Sequence, residues 1–220
     1  MEDIELKNMW KAYDQKIAEA KILNLQSWVV NLKTFEYLQT HKAQSILKSL
    51  SIFKSWAVVV GILWIFILAV LAFSNNFLNP YFTISVMIIM LFSIFATAMY
   101  INQIVLIKQI NYSESIIDVQ KKLAQLQSST INGLRIVWLQ LPFYTTFFWS
   151  TKWMMNDIKF WLIAFPVTLL FTLLAIWLYK NISLKNAHKK WLKILLSNKE
   201  WTSIIKAKEY LDEIEEFKKG

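Results

Sequence analysis

Residues 55–107 read SWAVVVGILWIFILAVLAFSNNFLNPYFTISVMIIMLFSIFATAMYINQIVLI and contain no Lys, Arg, Asp, Glu or His at 53 consecutive positions. A soluble helix of this length would turn charged side chains toward water every turn or two. About 20 apolar residues cross a hydrocarbon core about 30 Å thick, so the stretch is long enough for two membrane spans. The polar residues 74–80 in its middle, which end in Asn79 and Pro80, predict a turn between the spans.

Two more apolar stretches follow later in the chain, and each contains a proline, Pro142 or Pro166. Prolines are tolerated in membrane helices because neighbouring groups satisfy the freed carbonyl, so we expect a kink at each. Asn156 and Asp157 precede the last stretch and are suited to cap it. The sequence therefore predicts an all-α polytopic membrane protein with four transmembrane helices. The predicted spans are about 53–73, 81–107, 134–154 and 158–179.

Long amphipathic helices are predicted outside the spans, and these define three domains: residues 1–52, the transmembrane domain 53–179, and the tail 180–220. Residues 1–52 repeat apolar side chains at helical spacing, with a phase shift near residues 20–24 that suggests a bend. A shorter amphipathic helix is predicted at 115–131, opened by a capping box at Ser115 and Asp118. Gly133 marks either a joint before the third span or a point where that helix runs straight into it.

The composition excludes several classes of protein. Only 3 Gly and 3 Pro in 220 residues argue against a sheet protein, and the absence of cysteine excludes disulfides and thiol chemistry. The net charge of +9 comes from lysines that flank the spans or mix with acids in the tails, so we expect no nucleic-acid partner. The polar start of the chain predicts no cleaved signal peptide.

Charge placement predicts the orientation in the membrane. Basic residues flank the first span at Lys42, Lys48 and Lys54, and they recur in residues 108–135 and at the start of the tail, whereas residues 74–80 carry no charge. Cytoplasmic loops of membrane proteins carry such an excess of Lys and Arg. We therefore expect a multi-pass protein of the bacterial inner (cytoplasmic) membrane with both termini in the cytoplasm.

The tails offer two kinds of surface. The first part of the C-terminal tail resembles a basic helix lying on anionic lipid. Its candidate membrane-surface residues are Lys185, Lys189, Lys190 and Lys193. Apolar side chains at three-four spacing, including a coiled-coil-like face near the C-terminus, are candidates for binding a protein. These candidates are Trp10, Tyr13, Ile17, Ile204, Leu211 and Ile214.

An amide cluster is the one polar feature predicted inside the membrane. Asn102 or Gln103 in the second span should lie at the depth of Gln140 in the third, and an amide bond between the two helices would contribute about 1 kcal/mol. A clamp between helices is the preferred interpretation, ahead of a ligand pocket.

Nothing in the sequence points to catalysis or to a cofactor. The interiors of the spans carry no charge, and there is no phosphate-binding loop or nucleophile motif. The two histidines, His41 and His188, lack carboxylate partners at metal-ligand spacing. We therefore predict a non-enzymatic protein without metal or cofactor.

Residues 6–14 (LKNMWKAYD), and the run from Gln120 to the segment Leu141-Pro142-Phe143-Tyr144-Thr145-Thr146, resemble a family of small bacterial inner-membrane proteins, chiefly of the Bacteroidota type. The resemblance covers most of the chain but carries no catalytic motif. The resemblance implies an association with alternative sigma factors, and hence an anti-sigma-like role for the cytoplasmic helices.

Three functions remain open at this stage. The first is a membrane anchor or regulator that acts through its cytoplasmic helices, with the lipid bilayer and either a second copy or a cytoplasmic protein as partners. The second is a small oligomeric channel or transporter for a neutral or apolar solute. The third is an enzyme acting on lipid, which only the basic tail supports.

Overall fold

The computed structural model describes residues 2–74, 78–112, 116–187 and 189–219, and every regular element within them is helical. The predicted all-α class is therefore confirmed. Three of these helices are long and apolar enough to cross a membrane. They comprise Lys7–Ser74, Pro80–Lys108 and Phe160–Asn181.

The first helix, α1, runs without interruption from Glu2 to Ser74, a length of 73 residues. The predicted boundary at residue 52 is therefore not a break in the chain, and the phase shift near residues 20–24 does not end the helix. The reason lies in the sequence, since residues 1–60 contain neither Gly nor Pro to stop the backbone hydrogen bonding. At 1.5 Å per residue, α1 is about 110 Å long.

Helix α2 (Pro80–Lys108) returns alongside α1 and begins where the sequence predicts. The side chain of Asn79 accepts hydrogen bonds from the backbone N–H groups of Tyr81 and Phe82, and Pro80 occupies the first turn, where its missing N–H costs nothing. The two helices approach closely at Gly61, where an added Cβ would lie 2.7 Å from Oγ1 of Thr97. A small residue is therefore required at this point of contact.

Helix α3 (Ile116–Val137) contains the predicted amphipathic helix and passes through Gly133, so no joint forms there. The predicted capping box includes Ser115, which lies outside the described residues. Helical backbone continues through a 3₁₀ turn (Trp138–Gln140), α4 (Leu141–Thr145) and a second 3₁₀ turn (Thr146–Phe148). The irregular turns surround Pro142, which cannot donate a backbone hydrogen bond.

The third predicted span, 134–154, is not one regular helix. Trp149 and Ser150 are extended, and a separate short helix, α5 (Thr151–Asn156), follows with Ser150 as its cap. The helical part, residues 134–148, continues directly from α3, so unbroken helical backbone leads from Ile116 to the break at Trp149.

The last apolar segment contains a π-helical turn (Phe160–Ala164) that leads into α6 (Phe165–Asn181). The irregular turn lies just before Pro166, where a kink was expected, because the proline ring disturbs the preceding turn. As predicted, Asp157 caps this segment, and its side chain accepts from the backbone N–H of Lys159 at 2.9 Å.

The C-terminal tail folds into a 3₁₀ turn (Leu184–Asn186), α7 (Lys190–Leu195) and α8 (Lys199–Lys219). Helix α8 runs back along α1, where the side chain of Gln39 donates to Glu213 at 2.5 Å and the ring of Phe35 stacks on Phe217. Buried side chains of α1, α3 and α8 form one core. The tail and the part of the N-terminal segment from Phe35 onward therefore pack with α3 in one helical bundle.

Candidate functional site: a buried ion pair where four helices meet

The side chain of Lys54 lies at the centre of the bundle and is fully buried. Its ammonium group contacts the carboxylate of Glu200 at 2.7 Å and donates to the amide oxygen of Gln103 at 2.7 Å. It also lies 4.3 Å from the centre of the Tyr100 ring, whose negative face attracts a cation. Lys54 was expected to be a flanking residue at the membrane surface, and the structure corrects that expectation.

The remaining polar atoms of this group are also bonded. The hydroxyl of Tyr100 donates to the second carboxylate oxygen of Glu200 at 2.7 Å, and the amide nitrogen of Gln103 donates to the hydroxyl of Ser129 at 3.0 Å. We call these five residues, Lys54, Tyr100, Gln103, Ser129 and Glu200, the Lys54 network. They come from α1, α2, α3 and α8, so the network joins the tail helix to both helices of the apolar hairpin.

The network contains one positive and one negative side chain, Lys54 and Glu200, so its charge is balanced. Glu200 belongs to the first turn of α8, where the helix dipole favours a negative charge. A buried ion pair contributes little net stability when compared with a well-packed apolar pair, but loss of one partner leaves a buried charge uncompensated and costs about 3–5 kcal/mol. The Lys54 network therefore specifies how α8 docks more than it stabilises the fold.

Tyr100 borders two cavities. One has a volume of about 190 Å³ and is bounded by Gln103, Gly133 and Glu200 among apolar side chains. The other, of about 240 Å³, is bounded by Gly61, Gln140 and apolar side chains. An engineered cavity of about 150 Å³ accommodates benzene, so each of these cavities has room for a molecule of about that size.

The predicted amide clamp does not form as expected. Gln103 is buried, but its amide oxygen and nitrogen are taken by Lys54 and Ser129 and not by Gln140. Gln140 faces the second cavity, and Asn102 is exposed. Gln103 bonds to Lys54 and not to Gln140 because a buried ammonium group is a stronger partner for an amide oxygen than another neutral amide.

The candidate partner-binding residues divide into two groups. Ile204, Leu211 and Ile214 are buried in the core between α8, α1 and α3 and are therefore not available to a partner. Trp10, Tyr13 and Ile17 lie on α1 and are exposed. Of the two apolar faces predicted for binding, the one on α8 is thus covered within the chain.

The basic residues of the tail lie where a lipid surface could reach them. All four predicted lysines, Lys185, Lys189, Lys190 and Lys193, are exposed. The apolar side of α7 is not free, however, because Leu192 and Leu196 pack into a second core with Leu178 and Ile182. An interfacial role for this segment would therefore rest on its lysines alone.

Metal chemistry finds no support among the described residues, in which no three His, Cys, Asp or Glu side chains are grouped to hold an ion. His41 is exposed beside the ring of Tyr37. The other histidine, His188, lies outside the described residues.

The Lys54 network was not predicted from the sequence, although the sequence contains a pattern that is typical of a buried ion pair. Lys54 follows Leu47 and Leu50 at the three-four spacing of the buried face of α1, and Glu200 precedes Ile204 and Ala207 in the same way on α8. A charge that occupies an apolar stripe in each of two helices is a signature of a buried pair. Their pairing across 146 positions is visible only after folding.

Comparisons with protein-family models, curated proteins and solved structures gave no match.

Proposed function

We propose that this protein is a non-enzymatic inner-membrane anchor that acts through a helix extending into the cytoplasm and binding another protein chain there. In this proposal the chain spans the membrane four times and both termini are cytoplasmic. The distribution of lysines supports the orientation, since Lys48 precedes the first predicted span, whereas Lys108 and Lys180 follow the second and the fourth. Trp149, Trp153 and Phe160 cluster at the other end, as expected of an interfacial aromatic belt.

A long unpartnered part of α1 is the observation that carries this proposal. Helix α8 covers α1 as far as the stacked rings of Phe35 and Phe217. Beyond that point α1 continues for residues 7–34, about 40 Å at 1.5 Å per residue. We call residues 7–34 the stalk. Every side chain that the structure describes between Lys7 and Asn31 is exposed.

The stalk continues the face that is buried farther along α1. Toward the N-terminus, steps of three and four lead from buried Leu47 and Ala43 through Gln39 and Phe35 to Leu32, Trp28 and Leu25. Leu25 and Trp28 remain 63% and 48% exposed. A continuous apolar face of this kind in water marks a surface that another chain covers.

A second copy of this chain is the occupant that we propose for this face. Two copies inserted in one bilayer have the same orientation, so their α1 helices run parallel and identical apolar residues lie at equal heights. A two-fold axis along the membrane normal then brings Leu25 and Trp28 of both copies together. An alternative sigma factor, which the resemblance of the sequence implies, is the competing occupant.

The absence of cysteine makes a clean crosslinking experiment possible. With Leu25→Cys we expect a bismaleimide reagent to yield a product of twice the chain mass in native membranes. Ser27→Cys, two residues away on the opposite side of the helix, is the matched control and should stay monomeric. Equal yields at both positions would contradict a specific parallel pair.

A photocrosslinking amino acid at Trp28 distinguishes the two occupants. An adduct with a second copy supports the proposed pair, whereas an adduct with a sigma factor supports the regulator. If the light-activated residue captures neither chain, the stalk is not a docking surface and the proposal fails.

A small transporter for a neutral solute is a second candidate function. The observation in its favour is the Lys54 network, because paired charges beside cavities inside a membrane domain often mark a solute path. Flux of a neutral solute into vesicles that contain the reconstituted protein tests this function.

A further inference from the structure

A third cavity, of about 460 Å³, lies outside the Lys54 network between α1 and the end of α2. Its polar lining includes Lys48 of α1 and Lys108, the last residue of α2. Neither ammonium group has an ion-pair or hydrogen-bond partner among the described residues. Two uncompensated cations from two helices therefore border the same space, which favours an anion.

Neutral polar groups complete this end of the cavity. Gln44, Ser51 and Tyr112 contribute an amide and two hydroxyls to the lining. Tyr112 follows α2 and lies outside the membrane-spanning segments, and burial raises the pKa of its hydroxyl to about 12. The hydroxyl therefore stays protonated at neutral pH and can donate a hydrogen bond to an anionic oxygen.

The cavity continues into an apolar groove. Ile52 and Ser55 border both the large cavity and a neighbouring one of about 210 Å³, which is otherwise lined by Trp56 and Val59. Lys48 and these four residues share one face of α1, and all of them are exposed. The face thus changes from cationic to apolar over about 16 Å, eleven residues at 1.5 Å each.

We propose that this continuous surface is a binding site for one anionic phospholipid. Its phosphate lies between Lys48 and Lys108, and its acyl chain follows Ile52, Trp56 and Val59. Free phosphate offers the same charge but would leave the apolar half of the groove uncovered. The cationic end lies just outside the predicted first and second spans, at the height of lipid headgroups, where basic pockets between helices hold such lipids.

Native mass spectrometry of the full chain, released from mixed micelles, tests this site. We expect dioleoyl phosphatidylglycerol to remain bound in preference to dioleoyl phosphatidylcholine. Lys48→Gln combined with Lys108→Gln should weaken phosphatidylglycerol retention about 30-fold, the equivalent of about 1 kcal/mol for each of two lysines. Lys48→Arg with Lys108→Arg keeps both positive charges and should retain the lipid. This control separates the effect of lost charge from the effect of misfolding.

Two further measurements can overturn the proposal. Lys121→Gln with Lys208→Gln removes the same charge from two exposed positions outside the site, and an equal loss of lipid there would mean nonspecific attraction. Inorganic phosphate or glycerol phosphate at millimolar concentration should not displace the lipid, and displacement would assign the site to a free anion. Equal retention of the two lipids by the unaltered protein would also overturn the proposal.

Discussion

Lys54 and Glu200 illustrate how single residues give this bundle its specificity. Each occupies a position that an apolar side chain would fill in an ordinary helix stripe, and each is buried. The pair is therefore costly unless both members are present. The hydroxyl of Tyr100 donates to the carboxylate of Glu200, and the amide oxygen of Gln103 accepts from the ammonium group of Lys54. No charged atom of the pair is therefore left without a partner.

This arrangement predicts strongly non-additive substitutions. Lys54→Met and Glu200→Leu should each lower the free energy of unfolding by about 3–5 kcal/mol, because each leaves one buried charge alone. The double variant should be more stable than either single variant, since no charge remains. Thermal unfolding in detergent measures all three, and Lys185→Met, which alters an exposed lysine, serves as the control. Additive losses in the double variant would show that the ion pair is not coupled as described.

Pairs of helices are held by close approaches as well as by charge. At Gly61, α1 and α2 come so near that a Cβ would lie 2.7 Å from Oγ1 of Thr97. The hydroxyl of Thr97 is fixed by its own hydrogen bond to the carbonyl of Ser93 at 2.8 Å, so it cannot simply turn away. Small residues at such contacts let membrane helices pack with their backbones close together.

A size-compensation experiment tests this contact. Gly61→Ala should destabilise the protein by about 1–3 kcal/mol, the usual cost of overpacking, despite the better helix propensity of alanine. Adding Thr97→Ala removes the clashing oxygen and should recover part of the loss. Val60→Ala, at an exposed neighbouring position, controls for a change of volume on α1. If Thr97→Ala does not improve the Gly61→Ala protein, the two helices do not meet there.

At the scale of the whole molecule, one helix, α1, links several of these features. α1 contributes the stalk, one side of the lipid-site cavity, Lys54 and the first predicted span, so these features share one rigid axis. Helix α8 covers the middle of α1 and leaves the stalk free. An event at the stalk is thus mechanically connected to the membrane bundle through continuous hydrogen-bonded backbone.

The transporter alternative also belongs to this scale. Ala96 borders both cavities beside Tyr100, so Ala96→Leu should narrow any path that joins them. If the protein conducts a small neutral solute, vesicles containing it should equilibrate glycerol faster than empty vesicles, and Ala96→Leu should reduce that rate at least severalfold. Ala175→Leu, at a buried position on α6 away from both linings, is the control for misfolding. Equal rates with and without the protein would remove this function from consideration.

Much of the fold follows from local pattern. The start of α2 at Asn79 and Pro80, the cap at Asp157 and the irregular turns before Pro166 and around Pro142 were all accessible from the sequence, because caps and prolines act over a few residues. The break at Trp149 and Ser150 was not foreseen, since neither residue is a helix breaker by itself. The extended backbone there is accompanied by packing of Trp149 against Phe160 and against Tyr81, which is distant in the chain.

The sequence by itself determined that the protein is helical, that uncharged stretches provide its apolar helices, and where α2 and the last apolar segment begin and end. These properties depend on hydrophobicity, propensity and capping, which act within a few turns. Only the tertiary structure decided that Lys54 pairs with Glu200, that α8 rather than a partner covers the middle of α1, and that Lys48 and Lys108 face one cavity. Such pairings depend on contacts between residues tens to more than a hundred positions apart, which no periodicity specifies.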